Sequence, residues 1–267
     1  MDQPPPIQEP SPGPDSSSKG PPAARMSLAA RLLNVFAVPG DVFEEVKATP
    51  TTVSNWVVPA ILAAIVGAIA AVIILSQPAI QQQMREAQTK AIDAKVKAGK
   101  LTQEQADQFT AAAEKFMGPA MLKLFGSVGA VIFSFVHVAW WGFLLWLVSR
   151  WLFKVPVAYA KAIEVAGLAM MINVLGSIVG MLLIVNFGRM GATPSLALAI
   201  EDFDATRKSH LVMGAANVFY FWQIGVMSVG LAKLTSGHFL RAVWVVFGCW
   251  LLEDTFFILT GLGQFAL

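Results

Sequence analysis

Long uninterrupted apolar runs alternate with polar stretches along this chain. Five runs stand out: Trp56–Leu75, Leu124–Val148, Val165–Val185, Met213–Leu231 and Ala242–Phe265. A bilayer core of roughly 30 Å is crossed by about 20 residues of helix, so each run is long enough to span. The runs are continuous, whereas outer-membrane barrel strands alternate apolar with polar positions. The pattern predicts an all-α polytopic membrane protein, a five-helix transmembrane bundle with spans near 56–75, 124–148, 165–185, 213–231 and 242–265.

The polar stretches carry their own periodicities. Between the first two spans, residues 76–123 are rich in Ala, Gln, Lys and Glu, and Ile80, Met84, Ala87 and Ala91 form a stripe at helical spacing. Gly99 ends that helix, and Thr102-Gln103-Glu104-Gln105 reads as a capping box opening a second one towards Phe116. The expectation is an extramembrane helical hairpin whose stripe packs helix on helix. Near the N-terminus, Ser27 caps a short helix from Leu28 to Phe36, Pro39-Gly40 breaks it, and Asp41 caps a second through Lys47. Both are too short to span and read as an interfacial amphipathic pair. Residues 1–26 hold eight of the fifteen prolines and a serine run, the composition of a disordered tail. Met26 offers an alternative start to Met1. The chain thus divides into that tail and a membrane domain over 27–267.

Composition agrees with the pattern. Hydrophobic residues make up 56% of the chain and charged residues 13%, about half the share in soluble domains, where roughly 25% are charged. The five runs contain only two formal charges, Glu253 and Asp254. A net charge of +2 with no isolated Lys/Arg cluster excludes a strongly basic nucleic-acid binder. Cys249 is the single cysteine, so no intrachain disulfide can form. The first 25 residues are polar, and the first run is expected to stay as an anchor instead of being cleaved.

Charge placement also orients the bundle. Total Lys/Arg counts on the two sides barely differ, but the two short connections hold five: Arg150, Lys154, Lys161, Lys233 and Arg241. No positive charge follows Arg241. Trp56, Trp151 and Trp244 fall at the same expected interface. These features place the N-terminus in the cytoplasm.

Inside the spans the polar residues are few. His137, Asn173, Gln223, Glu253 and Asp254 fall near mid-depth, where ionisable groups are costly unless paired or hydrated. They can form a layer in which a carboxylate faces His137 and a proton or cation moves. They can equally be a packing cluster, at about 0.6 kcal/mol per interhelical hydrogen bond, or be exposed by a break in the fifth span. Gly176-x-x-x-Gly180, and Ala63, Gly67 and Ala71, suit close helix approach within the bundle. Enzyme signatures are weak. Phe133-x-x-x-His137 with Glu44-Glu45 resembles fragments of CAAX-type intramembrane proteases, yet Thr49 stands where that family has an arginine. No nucleophile elbow, zinc helix or phosphate-binding glycine loop is present. The chain reads as a non-enzyme with no cofactor.

Phe36-Ala37-Val38-Pro39-Gly40-Asp41-Val42-Phe43-Glu44-Glu45-Val46, followed by Trp56-Val57-Val58-Pro59, resembles the opening of the Yip-domain (Ypt/Rab-interacting-type) family of five-span membrane proteins. Phe219-Tyr220-Phe221-Trp222 to Gly230-Leu231, then Gly237 and Arg241-Ala242, is similar to that family's fourth span and basic turn. The resemblance runs from Leu32 to Leu267. It implies a cytoplasmic N-terminus, a five-helix bundle and no catalytic residues. Eukaryotic relatives are linked to small GTPases through their N-terminal regions, but this tail carries nothing recognisable for GTPase binding. The large hairpin resembles prokaryotic members. The expected role is scaffolding or organising membrane components, with the lipid bilayer and other membrane proteins as partners. The alternative is a small proton- or ion-coupled transporter using the mid-membrane layer.

Overall fold

The structure, a computed structural model, describes residues 25–116 and 118–260. Positions 1–24 of the expected tail and 261–265 of the fifth apolar run lie outside the described residues. Among the described residues ten α-helices follow one another: α1 (Leu28–Asn34), α2 (Pro39–Ala48), α3 (Ser54–Ile74), α4 (Pro78–Lys97), α5 (Gln103–Phe116), α6 (Pro119–Trp151), α7 (Tyr159–Phe187), α8 (Lys208–Ala215), α9 (Val218–Thr235) and α10 (Phe239–Thr260). Among the described residues no β-strand forms, and α3, α6, α7, α9 and α10 are long and apolar enough to cross a membrane. Their connectivity puts α1, α2 and the α6–α7 and α9–α10 turns at one end of the bundle, here the proximal face. The α4–α5 hairpin and the α7–α9 connection lie at the other, the distal face.

Helix α7 occupies the centre, packed against α3, α6 and α9, while α10 packs chiefly on α9. Small residues set the closest crossings, as expected where lipid offers no hydrophobic drive and backbones must approach. A Cβ placed on Gly167 of α7 would strike the backbone of Trp56 on α3. One on Gly142 would sit 2.9 Å from Ile163 Cβ, and one on Gly176 2.9 Å from Phe219 Cβ. Gly67 meets Ala130 of α6 in the same way at 3.0 Å. Of the glycines singled out by spacing, Gly67 and Gly176 therefore serve close contacts within the bundle, while Gly180 meets only Pro194 of the α7–α9 connection at 3.7 Å.

Local chemistry sets the helix ends. Ser27 caps α1, its hydroxyl accepting from the Ala30 amide at 3.2 Å. Asn217 caps α9, accepting from the Phe219 amide at 2.9 Å and bridging backbone to backbone with Ser195. That cap starts the fourth spanning helix at Val218, leaving Met213 on α8. Gly188 closes α7 in the left-handed conformation at φ +62°, where a glycine is favoured. Helix α6 has 33 residues, about 50 Å at 1.5 Å each, so it outreaches a bilayer core.

The α4–α5 hairpin is docked at its base. Ile80 is buried, and the Gln83 amide donates to the Gly188 carbonyl at 2.6 Å while accepting from the Met190 amide at 3.2 Å. Thr102 and Gln105 make the reciprocal capping box at the start of α5. Ala106 is buried, whereas Phe109 remains 59% exposed. Helix α2 departs from a purely interfacial placement: Val42, Phe43 and Val46 are fully buried against α9 and α7, so protein covers its apolar face.

Candidate functional site

The densest polar arrangement lies at the proximal end, where α1, α2, α3 and α7 converge. Arg31 of α1 is buried, and its Nη2 donates to Glu45 Oε1 of α2 at 2.9 Å. Its Nη1 donates to Asn55 Oδ1 of α3 at 3.2 Å. The Asn55 amide turns the other way to Glu164, with Nδ2 at 3.3 Å from Oε2. Glu164, on the second turn of α7, is 1% exposed and also accepts from the Thr52 amide. Lys161, one turn earlier on α7, reaches Glu164 Oε2 at 3.3 Å.

Lys161 closes the circuit. Its Nζ donates to the Val46 and Thr49 carbonyls at 2.6 and 2.7 Å, the orphan acceptors at the end of α2. An ammonium has three donors, and all three are used. A cation at a helix C-terminus also complements the macrodipole there. The contacts run from α2 through α1, α3 and α7 and back to α2. Two positive and two negative groups balance, which is how charges persist in a dry environment. Glu45 Oε1 additionally accepts from the Met26 amide at 2.9 Å, holding the entry of the chain. Every carboxylate and ammonium in the ring addresses another part of the protein, so its chemical capacity is to position helices.

A more exposed pair joins α2 to α9. Lys233 Nζ contacts Glu44 Oε2 at 2.9 Å, and that hydrogen bond and charge hold the Glu44 carboxyl below its ordinary value of 4.5. Lys47 Nζ donates to Ser236 Oγ at 2.8 Å. On the distal face the Thr206 hydroxyl lowers the Asp204 carboxyl from its ordinary 3.8, assisted by Arg207.

The five residues expected at mid-membrane occupy different surroundings. His137 on α6, Asn173 on α7 and Glu253 on α10 each lie fourteen residues from the proximal end of their helix, and Gln223 on α9 lies twelve. At 1.5 Å per residue this is one layer about 18–21 Å deep. Gln223 is buried, whereas His137, Asn173, Glu253 and Asp254 are half-buried. His137 stacks beside Phe133 at 5.3 Å. His137 Nε2, Asn173 Oδ1 and Asp254 Oδ2 are buried without a hydrogen-bond partner among the described residues. No hydrogen bond links any two of the five among the described residues. Nor do three His, Cys, Asp or Glu side chains converge there as a metal would need.

The proximal ring was not singled out from the sequence. Asn55 and Glu164 each sit one residue outside an apolar run, where they read as connecting segments. The available signals were the i, i+3 pair Lys161–Glu164 at a span entrance and Arg31 beside an amphipathic stripe.

Residues 33–261 match the family model described as the Yip1 domain. No curated protein and no solved structure matches the chain.

Proposed function

Because the chain belongs to the Yip1 domain family, we propose that it is a non-enzymatic integral membrane protein that scaffolds or organises other membrane components. The observation carrying this reading is the closed proximal ring. Its charges pair with one another and fix α1 and α2 on the bundle, Arg31 Nε being its one buried polar atom without a partner among the described residues, which suits a rigid platform more than a reacting site. The α4–α5 hairpin is the proposed partner surface: it is held at its base and displays Phe109 at 59% exposure. Small-GTPase binding is not part of the proposal. We place the N-terminus in the cytoplasm, supported by the positive charges of the short proximal connections and by Trp151 and Trp244, each 72% exposed, and the protein in a bacterial inner membrane, the setting implied by the likeness of its large hairpin to prokaryotic members.

A mild-detergent pull-down of the tagged protein beside a Phe109→Glu variant tests this. The scaffold reading expects a reproducible set of membrane proteins with the wild type and its loss with the variant. Identical sets overturn the hairpin as the contact surface.

One observation favours a second reading, a proton- or cation-coupled transporter. Three spanning helices place unpartnered buried polar atoms in one depth range, and such atoms take up water or an ion where access exists. Flux into proteoliposomes, with Glu253→Gln, Asp254→Asn and His137→Ala, separates the readings. Wild-type flux abolished by these substitutions overturns the scaffold.

A further inference from the structure

A recess of about 580 Å³ opens on the proximal face between α2 and the α9–α10 turn. Glu44 and Lys47 line it from α2, one helical turn apart, and Lys233, Ser236 and Phe239 line it from the other side. We infer that this recess binds the phosphate of an anionic phospholipid, the headgroup held by Lys47, Lys233 and Ser236.

The charge arrangement favours an anion. Glu44 is the one acid lining the recess and is engaged by Lys233 at 2.9 Å. Lys47 donates to the Ser236 hydroxyl at 2.8 Å and has no carboxylate within ion-pair distance among the described residues. Two of its three donors are therefore open to a ligand. Asp41, the other exposed acid of α2, does not line the recess. Arg241 adds positive charge beside the turn, its Nη2 on the Leu152 carbonyl at 2.9 Å and its guanidinium 4.8 Å over the Phe153 ring. Ser236 is held by the turn itself: it adopts the left-handed conformation at φ +51°, and its amide bonds the end of α9.

Depth selects a lipid over a soluble phosphate. Lys233 lies in the last turn of one spanning helix and Phe239 opens the next, so the recess sits at headgroup level. Leu240 and Trp244 follow on the same helix, 69% and 72% exposed, where acyl chains and glycerol would lie against them. Basic pockets between spanning helices are a recognised means of holding acidic headgroups.

The test uses the full chain in phosphatidylcholine nanodiscs with and without phosphatidylglycerol, reading co-purified lipid by native mass spectrometry after mild extraction. The wild type is expected to retain phosphatidylglycerol in preference to phosphatidylcholine. Lys47→Gln and Lys233→Gln should each lower that preference about fivefold, corresponding to the roughly 1 kcal/mol a basic residue contributes near a charged membrane surface. Glu44→Gln removes the competing carboxylate and should raise it, while Lys97→Gln on the hairpin should leave it unchanged. Equal retention of both lipids by the wild type overturns the inference, as does indifference to Lys47 and Lys233. Displacement of the lipid by inorganic phosphate overturns the lipid assignment and makes the recess a soluble-phosphate site.

Discussion

Asn55 and Glu164 meet at 3.3 Å across a sequence separation of 109, so a buried amide–carboxylate contact ties the first turn of α3 to the second turn of α7. Asn55 can serve both neighbours only because its two amide atoms differ. The oxygen accepts from Arg31 and the nitrogen donates to Glu164, which fixes one orientation of the side chain.

Removing one member of the ring should cost more than its hydrogen bonds alone suggest. Glu164→Ala leaves the Lys161 ammonium without its carboxylate in a largely dry site, for which an expected loss is about 3–5 kcal/mol. Glu164→Gln keeps the shape and should cost less, about 1–3 kcal/mol. Denaturant unfolding in detergent micelles measures both; two near-neutral values would show that the ring does not hold the helices.

Glycine substitutions should sort by what a Cβ would meet. Gly142→Ala places a methyl 3.0 Å from the Ile163 backbone and should destabilise by about 1–3 kcal/mol. Gly167→Ala, facing the Trp56 backbone, should be worse still. Gly225→Ala and Gly248→Ala meet nothing within 4 Å and should stay within about 0.5 kcal/mol of wild type. The same unfolding series reads all four, and equal effects across the set would contradict the packing described.

Acid should loosen α2 from α9. Glu44 is held below its ordinary 4.5 by Lys233, so the pair contributes stability above that value, which is lost as pH falls through the lowered folded-state value. The melting temperature of the wild type should exceed that of Glu44→Gln at neutral pH, and the gap should close in strong acid. The exposed position and salt screening keep the gap small. A gap that persists unchanged in strong acid would assign the effect to something other than the carboxylate.

Topology has a direct readout, because Cys249 is the single native thiol. In a Cys249→Ala background, cysteines replacing Lys97 and Ala158 lie at opposite ends of the bundle. With the N-terminus in the cytoplasm, an impermeant maleimide applied to intact cells should label position 97 and spare 158. The reverse pattern inverts the orientation, and labelling of both refutes a spanning bundle.

Sequence and structure agree most closely where information is local. Spanning helices depend on runs of neighbouring apolar residues, and a cap such as Ser27 or Thr102 acts within three positions. The positions of His137, Asn173, Gln223 and Glu253 along their helices follow from the same kind of local count. Their partners do not, because which way a side chain faces depends on how each helix is rotated against the others. The proximal ring was hidden more thoroughly. Arg31 finds Asn55 across 24 positions, and Lys161 finds Thr49 across 112. A burial pattern built from segments so far apart leaves no periodicity to read. Helix α2 shows the same limit: its apolar face was evident, but that α9 would cover it was not.

The sequence separation of 109 from Asn55 to Glu164 also sets a waiting time. At ribosomal rates of about 5–20 residues per second, roughly 5–20 s separate synthesis of the first from that of the second. During that interval α3 must lodge in the bilayer on its own apolarity, and it contains the most apolar stretch of the five spanning helices. Its Asn55 stays unpaired with Glu164 until α7 arrives. A nascent chain stalled before α7 would therefore carry an inserted but unlatched first span, the form in which quality-control machinery or an insertion chaperone would meet this protein.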